Sequence, residues 1–118
     1  MGCVYTGFKG TKIWGTFKIG QTIKSTPNSR YSAYDLNPLS YIECPKATLA
    51  ELLYLEGVAR LATARLGLEM FKTDFFKYRL DKTQNPIREA SAYADKVIAV
   101  LEEECQRNKI EYIVKKIL

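Results

Sequence analysis

One glutamate in this 118-residue sequence lies where a carboxylate needs a chemical explanation. Glu56 falls in a segment predicted to be helical. At about 100° per residue, it projects among mostly apolar neighbours rather than on a charged face. These neighbours are Leu49, Leu52, Leu53, Ala59 and Thr63. A carboxylate there must pair with a cation, bind a metal ion or become protonated. The alternative is a plain ion pair with Arg60, four residues later, which contributes about 0.3–0.5 kcal/mol if it is exposed.

The residue types that are absent or few in the sequence exclude several kinds of catalytic and metal site. The sequence contains no histidine, which excludes histidine-based triads and dyads and histidine-bound zinc. Three widely spaced cysteines, Cys3, Cys44 and Cys105, fit neither a disulfide framework nor a four-cysteine zinc site, and they predict a reducing, cytoplasmic location. No signal peptide or membrane-spanning run is visible, so no membrane partner is expected. The start Met1-Gly2-Cys3 matches a myristoylation pattern, but the strand expected there disfavours acylation.

The net charge of +5 is concentrated at one end of the sequence. The first 34 residues contain five basic residues and no acidic one, whereas the remaining residues contain thirteen of each. A basic lobe on a neutral body predicts a polyanionic ligand, here DNA, although such charges can also serve solubility alone. The candidate nucleic-acid contacts in this lobe are Lys9, Lys12, Lys24, Arg30, Tyr31 and Tyr34. A second aromatic group, Phe71, Phe75, Phe76 and Tyr78, is better explained as core than as a base-stacking surface.

The N-terminal part of the sequence predicts strands and a short helix. Residues 3–8 and 12–20 are rich in β-branched and aromatic residues, and the segment 9–11 between them favours a hairpin. Ser25-Thr26-Pro27 is a helix-start signal, which predicts a helix over 27–35. A third strand is expected at 40–44, after a turn around Asn37-Pro38.

The rest of the sequence is mainly helical. Thr48 and Glu51 form a capping box that begins a helix of about 19 residues, which ends near Gly67. The segment 72–79 is expected to be partly extended, and a last helix runs from Asn85-Pro86 to about residue 108.

Together these elements predict an α+β fold, a small three-stranded, mostly antiparallel sheet flanked by helices. The core occupies residues 1–80, and residues 81–118 form a C-terminal helical extension packed on the same domain. The apolar end, 110–118, is expected to dock on its own core, or else to form a homodimer interface together with the last helix.

The order of these motifs resembles the GIY-YIG nuclease superfamily, in particular its compact phage and viral branch. In that branch a strand with a tyrosine precedes a strand ending in K-I-G. A helix with an arginine, a helix with a glutamate and an acidic-aromatic-aromatic segment follow. The corresponding residues here are Val4-Tyr5, Lys18-Ile19-Gly20, Arg30, Glu56 and Asp74-Phe75-Phe76. The resemblance covers roughly residues 2–78.

The resemblance implies a metal-dependent endonuclease that hydrolyses DNA phosphodiester bonds. By this analogy Glu56 holds Mg²⁺ or Mn²⁺, Arg30 clamps the scissile phosphate, and Tyr5 acts on the attacking water. Lys18 would be the cation that lowers the pKa of Tyr5. The analogy also implies that Tyr5 and Lys18 lie on paired strands, with Arg30 and Glu56 facing the same side of the sheet.

Several departures from the family pattern keep other functions open. Lys18 stands where better-known members have tyrosine, and Arg60 stands where the phage branch often has histidine. One alternative is a catalytically weak or inactive nucleic-acid-binding module on the same fold. Another is a small viral interaction protein that blocks a host defence factor.

Overall fold

A computed structural model describes residues 2–10, 13–80 and 85–118. Within these ranges, six strands form one antiparallel sheet with the order β4-β5-β2-β1-β3-β6. The strands are β1 (Cys3–Gly10), β2 (Trp14–Thr22), β3 (Asn37–Glu43), β4 (Glu69–Lys72), β5 (Phe75–Arg79) and β6 (Ile113–Lys116). The helices are α1 (Asn28–Ala33), α2 (Leu49–Arg65) and α3 (Pro86–Arg107). The predicted α+β class and the antiparallel β1–β2 pairing are confirmed.

The prediction of three strands is wrong, because the sheet continues on both sides of the predicted core. On one side residues 69–79 form the β4–β5 hairpin, although the sequence predicts only a partly extended segment over 72–79. Every residue of β4 is exposed, so its sequence lacks the apolar alternation that marks a half-buried strand. On the other side the C-terminal tail pairs with β3 as the four-residue β6. β3 itself begins at Asn37 rather than 40, since Pro38 is accommodated beside a register shift in β1.

The two faces of the sheet carry different layers. Val4, Phe17 and Ile19 point to the face covered by α2 and α3, where they form the main core. Residues of α3, among them Ala94, Val97 and Leu101, belong to this same core. The opposite face carries α1 and a smaller cluster, in which Tyr5 meets Tyr31 and Leu36. The apolar segment Cys3–Phe8 is therefore buried along its whole length, because β1 lies between two covered faces.

The helix that carries Glu56 begins and ends at signals visible in the sequence. The Thr48 hydroxyl accepts from the Glu51 amide at 3.1 Å, and the Glu51 carboxylate accepts from the Thr48 amide at 2.9 Å, which completes the predicted capping box. α2 ends before Gly67, whose φ of +93° is one that glycine adopts without strain. Between these ends the main core buries apolar residues of α2, among them Leu52, Leu55 and Ala59. This packing sets the rotation of α2 relative to the sheet and thus the direction of Glu56.

The short helix α1 is anchored by an aromatic side chain rather than by its caps. Tyr31 is buried, and its hydroxyl donates to the carbonyls of Thr6 at 3.0 Å and Ser40 at 3.1 Å. This burial leaves little of Tyr31 for a nucleic acid to contact and argues against the prediction that it does so. No helix in the described parts of the chain is both long enough and apolar enough to span a bilayer.

Candidate functional site

The pairing of β1 with β2 places Tyr5 opposite Gly20 and Lys18 opposite Gly7. Since residues two apart on a strand share a face, Tyr5 and Lys18 project from the same side of the sheet, toward α1. A β-carbon at Gly20 would collide with the ring and the hydroxyl of Tyr5. The glycine that ends Lys18-Ile19-Gly20 is thus required because the Tyr5 ring lies directly over its backbone.

Lys18 is a buried cation with a full set of partners. Only 1% of the residue is exposed, and its Nζ donates to Asp74 Oδ2 at 2.9 Å. The same Nζ lies 4.2 Å from the centre of the Tyr34 ring and 4.3 Å from that of Phe75. A buried charge needs such compensation, which here comes from one carboxylate and two aromatic faces. Lys18 therefore fixes the position of Asp74.

Glu56 approaches Lys18 and Asp74 at the edge of β2, beyond the point where β5 ends. β5 pairs with β2 only as far as Lys18. Beyond that point, the Ile19 N–H donates a hydrogen bond of 3.0 Å to the carbonyl oxygen of Asp74, in the turn before β5. The amide of Gln21 points the same way and donates to Glu56 instead. α2 packs on the opposite face from α1, so the expectation that Glu56 and Arg30 face the same side of the sheet is wrong. The Glu56 carboxylate instead lies at the edge between the two faces.

An alternating chain of charges connects these residues. Arg60 Nη2 donates to Glu56 Oε1 at 2.8 Å and lies 3.8 Å from Asp74 Oδ1, while Lys18 holds the other Asp74 oxygen. Burial raises the pKa of Glu56 above its usual value, and Asp74 adds to this rise; Arg60 and Lys18 oppose it. Both interpretations of Glu56 from the sequence thus apply together: it pairs with Arg60, and it does so in a largely buried position.

Tyr5 and Arg30 form the other side of the site. Arg30 is exposed on α1, and its charge acts on Tyr5. Burial raises the pKa of Tyr5 more than Arg30 lowers it, so the shift is upward, opposite to the expectation that Lys18 lowers this pKa. Asp74 and Glu56 also act on the Tyr5 phenol. Side chains from β1, β2, α1, α2 and the β4–β5 turn therefore act on one another electrostatically around the open end of β2.

The donor set fits a divalent cation with few protein ligands. Mg²⁺ and Mn²⁺ prefer oxygen ligands, and Mg²⁺ commonly uses one or two carboxylates completed by water and phosphate oxygens. Glu56 and Asp74 supply such carboxylates, and Gln21 Oε1 is a buried acceptor without a hydrogen-bond partner. Among the residues that the structure describes, no group of three or more cysteine or carboxylate side chains is placed to hold a metal ion.

The other predicted contact residues are distributed around this site. Lys9, Lys24 and Tyr34 are exposed, and Lys9 lies 3.9 Å from the Asp35 carboxylate. Lys12 lies outside the described residues, so the prediction for it stays a prediction.

Sequence reasoning paired Arg60 with Glu56 and placed Asp74 in the motif of the resemblance, but it assigned neither residue a role in the site. The four-residue spacing of Arg60 from Glu56 was a usable signal, because it places both side chains on one helix face. The contacts of Asp74 depend on where the β4–β5 turn meets β2, which no local pattern encodes. Comparisons of the chain with protein-family models, with curated proteins and with solved structures found no match.

The close approach of Tyr5 to Gly20 yields a stability prediction with a matched control. Gly20→Ala forces the Tyr5 ring out of its place, and we expect a loss of about 1–3 kcal/mol in the free energy of unfolding. Gly57→Ala, next to Glu56 on α2, adds a methyl group that meets nothing within 4 Å and should stabilise the helix by about 0.5–1 kcal/mol. Urea unfolding of both variants measures the difference. A Gly20→Ala variant as stable as the wild type would contradict the packing of Tyr5 described here.

Proposed function

We propose that the chain is a metal-dependent endonuclease that hydrolyses DNA phosphodiester bonds. The observation that carries the proposal is that Tyr5, Lys18, Arg30 and Glu56, which are spread over 52 positions of the sequence, act on one another electrostatically around the open end of β2. The GIY-YIG resemblance names these same four residues.

In this proposal each side chain has a task that its surroundings allow. Glu56 holds Mg²⁺ or Mn²⁺, which would neutralise charge on the leaving oxygen. Arg30, exposed beside Tyr5, donates paired hydrogen bonds to the scissile phosphate. Tyr5 is protonated at neutral pH, since burial raises a pKa that already lies well above neutrality. Its hydroxyl would orient the attacking water by a hydrogen bond, and the proton that this water loses would pass to solvent or to the departing oxygen. Lys18 acts as a positioning residue through Asp74.

The distribution of charge supports DNA as the substrate. The basic excess of the sequence lies entirely in the first 34 residues, which include β1, β2 and α1. Arg30 belongs both to this basic segment and to the candidate site. A phosphate backbone lying along the basic segment would therefore pass the side chains proposed to act on it.

A second candidate function is DNA binding without cleavage. The engagement of Glu56 by Arg60 favours it, since a carboxylate that is already paired is less available to a metal ion. A host-defence-blocking viral protein on the same fold remains a variant of this candidate, in which the basic lobe binds a protein or nucleotide ligand.

Substitution of the proposed metal ligand separates the two candidates. Glu56→Gln should lower plasmid cleavage in Mg²⁺ or Mn²⁺ by about a hundredfold or more, because the cation loses its ligand. DNA affinity without metal should stay the same or rise slightly, since a carboxylate near phosphate repels it. Glu103→Gln makes the same charge change at an exposed position of α3 and should leave both quantities unchanged.

Two results would count against the nuclease. A wild-type protein that binds DNA but cleaves no single-stranded, double-stranded or branched substrate with either metal would favour the binding module. Equal cleavage by wild type and Glu56→Gln would show that Glu56 is only the ion-pair partner of Arg60.

The basic segment is tested by the salt dependence of binding. Each lysine–phosphate contact contributes about 0.9 to the slope of log affinity against log salt. Replacing Lys9 and Lys24 by alanine should weaken binding to all sequences and flatten this slope by up to about 2. Replacing the exposed Lys115 and Lys116 of β6 removes the same charge and should change the slope much less. A larger effect of the β6 pair, measured by fluorescence anisotropy, would refute the assignment of the basic segment.

A further inference from the structure

Arg60 occupies the space between the two carboxylates of the site. Its Nη2 lies 2.8 Å from Glu56 Oε1 and 3.8 Å from Asp74 Oδ1. A guanidinium in this position neutralises the same charges and uses the same oxygen lone pairs that a divalent cation would use. Arg60 and a cation bound by Glu56 therefore compete for one place.

Arg60 is held less firmly than its two partners, since its buried Nε has no hydrogen-bond partner among the residues that the structure describes. Glu56 is held by the Gln21 amide at the edge of β2, and Asp74 keeps Lys18 on its other oxygen. The Arg60 side chain is 30% exposed and borders an open, mostly apolar cavity of about 570 Å³. The walls of this cavity come from the end of α2 and the β4–β5 hairpin, and they include Leu61, Ala64, Met70, Phe71 and Phe76. The long aliphatic part of an arginine can pack against such a wall with its charged end in water.

We propose that Arg60 is a built-in competitor for the metal ion, which closes the cation site in the metal-free protein and turns toward this cavity when a divalent cation binds. The proposal rests on the proposed function, because it takes Glu56 as the metal ligand. Competition from Arg60 weakens cation binding, since every binding event must first break the Arg60–Glu56 hydrogen bond. It also explains how two carboxylates that repel each other stay together without metal.

Removal of the competing charge tests the proposal directly. Mn²⁺ is titrated, with electron paramagnetic resonance as the readout, at pH 8 to limit competition from protons for Glu56, whose pKa is raised by burial. Arg60→Gln should bind Mn²⁺ about tenfold more tightly than the wild type, since it no longer breaks a charge-assisted hydrogen bond. Arg65→Gln removes the same charge from an exposed position in the last turn of α2 and should leave the affinity unchanged.

The control Glu56→Gln separates failure of this inference from failure of the proposed function. If Mn²⁺ binds the wild type, is lost in Glu56→Gln and binds Arg60→Gln no more tightly, the competitor role is overturned while the metal ligand stands. If Mn²⁺ binds none of these proteins, both are overturned.

A measurement on the wild-type protein keeps the test independent of variant folding. The NMR signal of the Arg60 Nε–H group should shift when Mg²⁺ is added, because the guanidinium leaves Glu56. The corresponding Arg65 signal should stay in place. An unmoved Arg60 signal at saturating Mg²⁺ would overturn the proposal.

Discussion

The early end of the β2–β5 pairing is the constraint on which the candidate site depends. Because β5 stops opposite Lys18, the last amides of β2 are left without a neighbouring strand. The Asp74 carbonyl accepts a hydrogen bond from the Ile19 amide, and the Glu56 carboxylate accepts one from the Gln21 amide. A longer β5 would satisfy both amides with backbone carbonyls and leave no opening for a side chain from α2. Unpaired backbone at one strand edge thus brings together residues from both faces of the sheet.

The charges at this edge are balanced in a way that stabilises the metal-free protein. Lys18, Asp74, Arg60 and Glu56 alternate in sign, so the group has no net charge although much of it is shielded from water. The aromatic faces around Lys18 add to this compensation. The arrangement combines a requirement of folding, which is neutrality, with a requirement of the proposed chemistry, which is carboxylates accessible to a cation. In the proposed switch Arg60 satisfies both requirements, since it would leave without breaking the backbone contact of Glu56 with Gln21.

Local patterns predicted the parts of the molecule that depend on neighbouring residues. The capping box of Thr48 and Glu51, the β1–β2 pairing and the unusual placement of Glu56 on its helix face are all visible in the sequence and present in the structure. The outer strands, the anchoring of α1 by Tyr31 and the contacts of Asp74 depend on residues far apart in the chain. Tyr31 shows the limit most clearly, because a tyrosine following an exposed arginine has the same sequence pattern whether its ring meets DNA or the core.

The most direct test of the account is the location of a bound metal ion. Crystals grown with Mn²⁺ should show one anomalous scattering peak beside the Glu56 carboxylate, at the open end of β2, with Arg60 turned away from it. The same crystals of Glu56→Gln should lack this peak. Mn²⁺ bound elsewhere on the molecule, with the Glu56–Arg60 ion pair intact, would contradict the claim that this edge of the sheet is a cation site.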